Sequence, residues 1–243
     1  MGNAVTWFEV GAADDQALTT FYGKLFGWEL RPAADGYTMV NTLGGAGING
    51  GIGRSRTGEP WAAFYVEADD PGALLERAES LGATTVMPLT ELTGFTFAMF
   101  DDPDGLLIGL MKPVGAATSR TDPPGNGPAV DWFEVLGSDA ARTQAFYREL
   151  FGWQVPGGAA PGYGLVDTGA GHGISGGLGA SQEGFRWATV YANVDDVETY
   201  LARAEGLGGE RVYGPIDVDD HMRTGALRDP AGNVFGVYHH PPH

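Results

Sequence analysis

The chain contains no cysteine, so disulfides, thiolate metal sites and cysteine nucleophiles are excluded. Histidine is nearly as scarce. The five are His172, His221, His239, His240 and His243, and the first half has none. A metal there would rely on carboxylates, which suit Mg²⁺ or Mn²⁺ better than Zn²⁺ or Fe²⁺. Basic residues are few as well: 14 Lys and Arg stand against 31 Asp and Glu, a formal net charge of −17. Phosphate backbones and anionic membranes are bound by clustered Lys and Arg, so neither nucleic acid nor membrane is expected as a partner. The acidity serves solubility and self-repulsion. No apolar run reaches the length of a transmembrane helix. Residues 1–5 lack the charged and apolar regions of a secretory signal, and a cytoplasmic location is the default expectation.

What the chain does have is a repeat. Trp7-Phe8-Glu9-Val10, followed by Phe21-Tyr22-Gly23-Lys24-Leu25-Phe26-Gly27-Trp28, returns as Trp132-Phe133-Glu134-Val135 and Phe146-Tyr147-Arg148-Glu149-Leu150-Phe151-Gly152-Trp153. Spacing is kept along with residue type, which marks one structural unit written twice. Two domains follow, at 3–114 and 128–240. A Gly-, Pro- and Ser-containing linker without periodicity joins them at 115–127. Hydrophobic content of 43% suffices for a core in each.

Each half itself holds two related modules. Residues 5–10 read as a strand, Asp14 or Asp15 as a cap, and Leu18, Phe21, Tyr22, Leu25 and Phe26 as the stripe of a helix stopped by Gly27. Short strands follow at 28–31, 37–43 and 48–53. The same β-α-β-β-β order recurs: a strand at 61–67, a helix capped by Asp70-Pro71, and strands at 84–87, 95–100 and 106–111. The turn Asp102-Pro103-Asp104-Gly105 joins the last two, and Asp229-Pro230-Ala231-Gly232 is its counterpart. His239, His240 and His243 read as a tail. Gly45-Ala46-Gly47-Ile48-Asn49-Gly50 and Gly171-His172-Gly173-Ile174-Ser175-Gly176 match the G-x-G-x-x-G spacing. A dinucleotide site needs a helix opening on the third glycine, and Gly51-Ile52-Gly53-Arg54 continues without a helical pattern. These glycines instead suit a bent strand or the close approach of another backbone or a ligand.

The four modules, the F-Y-x-x-L-F-G-W block and the D-P-[DA]-G turn together resemble the vicinal oxygen chelate superfamily, which groups glyoxalases, bleomycin-resistance proteins and extradiol dioxygenases. The sequence is most similar to its two-domain actinobacterial glyoxalase-like group, over nearly the whole chain. The resemblance implies an α+β fold of tandem glyoxalase-like domains, each with two βαβββ modules forming a cup-shaped mixed sheet. Metal-binding members carry His or Glu early in each first strand, late in each final strand and late in the glycine-rich strand. Here those positions are Trp7, Trp61, Trp132 and Trp187, then Gly109 and Gly236, then Gly51 or Gly53 and Gly177 or Gly179. None can ligate a cation through its side chain, so no metal ligand is assigned and no cofactor is expected.

Strand alternation then places the candidates on the cup face. Trp7, Trp61, Tyr65, Phe97, Met99 and Met111 line the first half, and Trp132, Trp187, Tyr191, Arg223 and Tyr238 the second, which is the more polar. Glu9 and Glu134 are the candidate catalytic acids, because a carboxylate among indoles is desolvated and suited to acid–base work or to holding a basic ligand. A paired or solvated strand-edge Glu is the plainer reading. His172 and the group Asp217, Asp219, Asp220 and His221 read as loop residues. The expected function is metal-free binding of a small aromatic molecule by a monomer or homodimer. The alternatives are a divalent-metal-dependent lyase or dioxygenase, and a cofactor-free acid–base enzyme using Glu9 or Glu134.

Overall fold

The computed structural model describes residues 2–33, 36–92, 95–112, 125, 127–157, 161–181 and 184–240. Most of the linker at 115–127, and His243, lie outside the described residues. Along the first half run β1 (Val5–Ala12), α1 (Asp15–Phe26), β2 (Glu29–Pro32), β3 (Tyr37–Asn41), β4 (Asn49–Arg54), β5 (Trp61–Glu67), α2 (Pro71–Ser80), β6 (Thr84–Leu92), β7 (Phe95–Asp101) and β8 (Leu107–Lys112). The second half supplies β9 (Ala129–Gly137), α3 (Ala140–Phe151), β10 (Gly164–Val166), β11 (Ser175–Ala180), β12 (Trp187–Asn193), α4 (Val197–Gly206), β13 (Glu210–Asp217), β14 (Arg223–Arg228) and β15 (Val234–His239). The fold is α+β with two mixed sheets, ordered β2-β3-β4-β1-β5-β8-β7-β6 and β10-β11-β9-β12-β15-β14-β13. No helix among the described residues is long and apolar enough to cross a membrane.

The helix ends follow local chemistry. Asp14 and Asp139 accept from the backbone N–H groups of Ala17 and Arg142 at 2.9 and 2.8 Å, the N-cap bond that satisfies an orphan donor. Gly27 and Gly152 close the same helices at φ 70°, a left-handed conformation that glycine adopts without penalty. Besides shifts of one or two residues at strand ends, three differences from expectation matter. The strand expected at 84–87 continues to Leu92 through Pro88; β6 ends its sheet, where the missing proline N–H need not break a ladder. The counterpart of β2 is reduced to isolated bridges, Gln154 to Asp167 and Gly157 to Gly164, across Pro156. His239 is no tail residue: it closes β15, and its Nδ1 lies 2.7 Å from the Val194 carbonyl.

The chain forms two compact units, each drawing on both halves of the sequence. One takes Met1–Trp7, the described residues of Ala63–Thr121, and Trp132–Ala188. Its core holds Phe64 against Phe133 at 4.9 Å between ring centroids and Phe151 against Trp153 at 4.7 Å. The other takes Phe8–Ala62, the described residues of Asp122–Asp131, and Thr189–His243. There Phe26 stacks on Trp28 at 4.3 Å and Tyr22 meets Phe235 edge-on at 5.5 Å.

The two recurring motifs meet inside these units. Tyr147 of α3 donates to Asp102 Oδ2 at 3.0 Å, and Tyr22 of α1 donates to Asp229 Oδ2 at 3.0 Å. The other oxygen of Asp102 accepts from the Asp104 and Leu106 N–H groups. Asp229 Oδ1 accepts from those of Ala231, Gly232 and Asn233. Burial pushes all four groups upward, which keeps both phenols protonated as donors. The helix tyrosine of one half thus satisfies the turn aspartate of the other. Arginines reinforce the same pairings: Arg77 donates to the Glu149 carbonyl and Arg203 to the Leu25 carbonyl, neutralising helix C-termini.

The glycine-rich loops bring backbones together. Gly47 at φ 74° precedes an Ile48–Val130 bridge, and Gly173 at φ 76° precedes a Val5–Ile174 bridge. A Cβ at either would strike the carbonyl opposite.

Candidate functional site

Alternation along β1 and β9 buries Phe8 and Phe133 at 1% and 0% exposure and turns Glu9 and Glu134 to the opposite face. Glu134 lies directly across the parallel β9–β11 ladder from Gly177. With no side chain at Gly177, the Tyr163 ring crosses the strand there, and its hydroxyl occupies the space a Cβ would need. That hydroxyl donates to Glu134 Oε1 at 2.9 Å, while the Trp187 indole N–H donates to Oε2 at 2.8 Å. The first half repeats the arrangement. Tyr37 donates to Glu9 Oε1 at 2.5 Å, and its hydroxyl fills the Cβ space of Gly51. Glu9 is only 9% exposed. The Trp61 indole lies over the backbones of Gly11 and Gly53. Trp7 and Trp132 stand half-buried two residues before the acids, on the same strand face.

The remaining candidates form two chemically different patches. Tyr65 lies over Gly109 and points its hydroxyl at Met99 Sδ, 3.5 Å away. Phe97 stacks on Phe95 at 5.4 Å and pairs across the ladder with Met111, whose sulfur takes the Thr6 hydroxyl at 3.8 Å. This patch is thioether and phenyl. At the matching positions of the second half, Tyr191 lies over Gly236, with its hydroxyl 3.2 Å from that of Tyr213, which is 3.3 Å from Thr224 Oγ1. Tyr238 donates to Asp131 at 2.8 Å, and Asn193 bonds to both. Burial raises the Asp131 carboxyl, and burial together with the Asp131 charge raises the Tyr238 phenol. The second patch is hydroxyl-lined.

Arg223 stands apart from these groups. It precedes Thr224 on β14 and so faces the other way, gripping Asp217 at 2.7 Å. With Asp195, Asp219, Asp220, His221 and His239 it lines an open cavity of about 250 Å³. His172 pairs with Glu67 at 2.8 Å, a hydrogen bond that raises its imidazole above the ordinary value.

The positions that the resemblance gives to metal ligands hold no room for them. A side chain at Gly109 or Gly236 would overlap the Tyr65 or Tyr191 ring, and one at Gly51 or Gly177 the Tyr37 or Tyr163 hydroxyl. Indoles stand at the first-strand positions and offer no lone pair to a cation. Among the described residues, no three His, Asp or Glu side chains converge as a metal-binding group. The residues present do not fit a chelate centre. Tyr37 and Tyr163 escaped the sequence reading, although both follow a glycine and recur 126 positions apart, as Gly51 and Gly177 do.

Comparison with known proteins gives a consistent picture. Residues 7–111 and 133–238 each match a family described as a glyoxalase-like domain. The anthracycline biosynthesis protein DauV of Streptomyces sp. strain C5 is 30% identical, over 96% of this chain and 92% of that protein. The anthracycline biosynthesis protein DnrV of Streptomyces peucetius matches at the same identity and coverage. Among solved structures, the Mn(II)-bound glyoxalase from Novosphingobium aromaticivorans superposes with a TM-score of 0.69 at 18% identity, covering 98% of this chain and 83% of that one. The 2,2',3-trihydroxybiphenyl 1,2-dioxygenase from Sphingomonas wittichii strain RW1 gives 0.65 at 15% identity, covering 98% and 91%. At such identities the two structures speak to the fold.

Proposed function

We propose, on the premise that this chain belongs to the glyoxalase-like domain family through both of its halves, that it binds a small aromatic molecule without a chelated metal. One observation carries the reading: Glu134 is held by a phenol and an indole, and Glu9 by a phenol, where a chelate centre would need open ligand positions. Indole and phenol faces stack on flat ligands, and a fixed carboxylate takes the polar end of one. The names of the Streptomyces relatives make anthracyclines the first candidates. Titrating chelator-treated protein with doxorubicin and a panel of hydroxylated aromatics, followed by tryptophan fluorescence, should give saturable quenching. Silence across the panel would sink the reading.

The same geometry favours a second role for the acids. An oriented carboxylate is also a proton acceptor, so Glu134 can serve acid–base chemistry on the bound molecule. In that case Glu134→Gln keeps binding and loses turnover. Parallel loss of both assigns Glu134 to anchoring alone.

A further inference from the structure

The glutamate side chain ends in a torsion with a broad, twofold profile, so a single hydrogen bond leaves its carboxylate free to swing. Glu134 accepts from Tyr163 on Oε1 and from Trp187 on Oε2. The phenol reaches it only because Gly177 is bare: the Tyr163 hydroxyl stands where a Cβ would be. A side chain at Gly177 and a phenol on Glu134 are therefore mutually exclusive. The same exclusion is built a second time, with Tyr37 on Glu9 and Gly51 beneath it.

We infer that Tyr163 is a positioning residue that, together with the Trp187 indole, orients the Glu134 carboxylate toward the hydrogen-bond donor of an aromatic ligand, and that Gly177 sets specificity by admitting it. The ligand part rests on the small-molecule reading above; the orientation itself does not. Two donors on different oxygens fix the plane of the carboxylate before anything binds, and such preorganisation is what a precise recognition site needs. The glycine also explains why a tyrosine and a metal-ligating side chain cannot share the site. One residue's Cβ decides between two chemistries.

The test is made on the full-length, ligand-free chain labelled with ¹⁵N, using the Trp187 indole N–H resonance, assigned through Trp187→Phe. Tyr163→Phe should move this resonance and speed its solvent exchange by about tenfold, the factor expected for about one net hydrogen bond. Gly177→Ala should do the same, because the added methyl expels the phenol. Tyr147→Phe removes a buried phenol bond of the same compact unit and should leave the indole in place, so a merely structural effect is distinguished. A Trp187 indole unchanged in either folded variant, Tyr163→Phe or Gly177→Ala, overturns the inference. Because no ligand enters the measurement, a panel without a binder would overturn the small-molecule reading and leave this result standing.

Discussion

The residues most exposed to test are those whose partners are single and named. Tyr147→Phe leaves the buried Asp102 Oδ2 without its phenol donor and should cost about 1–3 kcal/mol, the penalty of an unsatisfied buried acceptor, measurable by urea unfolding. Tyr22→Phe should cost less, about 1 kcal/mol, because Asp229 Oδ2 keeps the Asn233 amide as a donor. The two should add, since they share no partner. His172 makes a different, pH-dependent contribution. Its imidazole is raised above 6.5 by the bond to Glu67; such a group stabilises the fold below its unfolded pKa and loses the contribution as pH climbs through the raised folded value. His172→Ala should therefore destabilise the protein at pH 5.5–6 and have no effect at pH 9. The difference should stay under about 1 kcal/mol, because the side chain is 45% exposed and solvent screens the pair. Glu9 and Glu134 could be singled out from strand alternation alone. Tyr37 and Tyr163 could not, because a phenol that reaches across a ladder leaves no periodic mark; only its repetition over a repeated glycine betrays it.

At the level of elements, the helix ends were written plainly: Asp before the first turn, glycine after the last. Asp139→Ala should remove the α3 cap and lower stability by about 1 kcal/mol. Strand ends were harder to read. The span of β6 beyond Met87 was hidden by Pro88, which reads as a breaker until the strand is known to lie at a sheet edge. The β2 counterpart, which spans Pro156-Gly157, keeps only isolated bridges, an outcome that local sequence does not announce. The D-P-x-G turn was recognisable as a turn, but its buried carboxylate acquires its purpose only from a helix in the opposite half. Such partners lie more than forty residues away and leave no local trace.

For the whole molecule, the repeat divides the sequence into two halves and leaves open how their modules pair, while each compact unit combines residues from both. Residues 1–124 or 125–243 expressed alone should therefore show poorly dispersed amide spectra, and mixing the two fragments should restore dispersion. The family and the α+β architecture were legible because four modules kept one rhythm of strands, helix and glycine. The chemistry was less so: the glycines at 51, 109, 177 and 236 announce the absence of ligating side chains at those positions, while only the fold reveals that tyrosines fill the space above them. That replacement is the centre of the functional reading, and a titration of chelator-treated protein with Mn²⁺, followed by electron paramagnetic resonance, addresses it directly. The free Mn²⁺ signal should grow in step with added metal, with no stoichiometric uptake. Loss of signal equivalent to one ion per half, abolished by Glu9→Gln and Glu134→Gln, would contradict it.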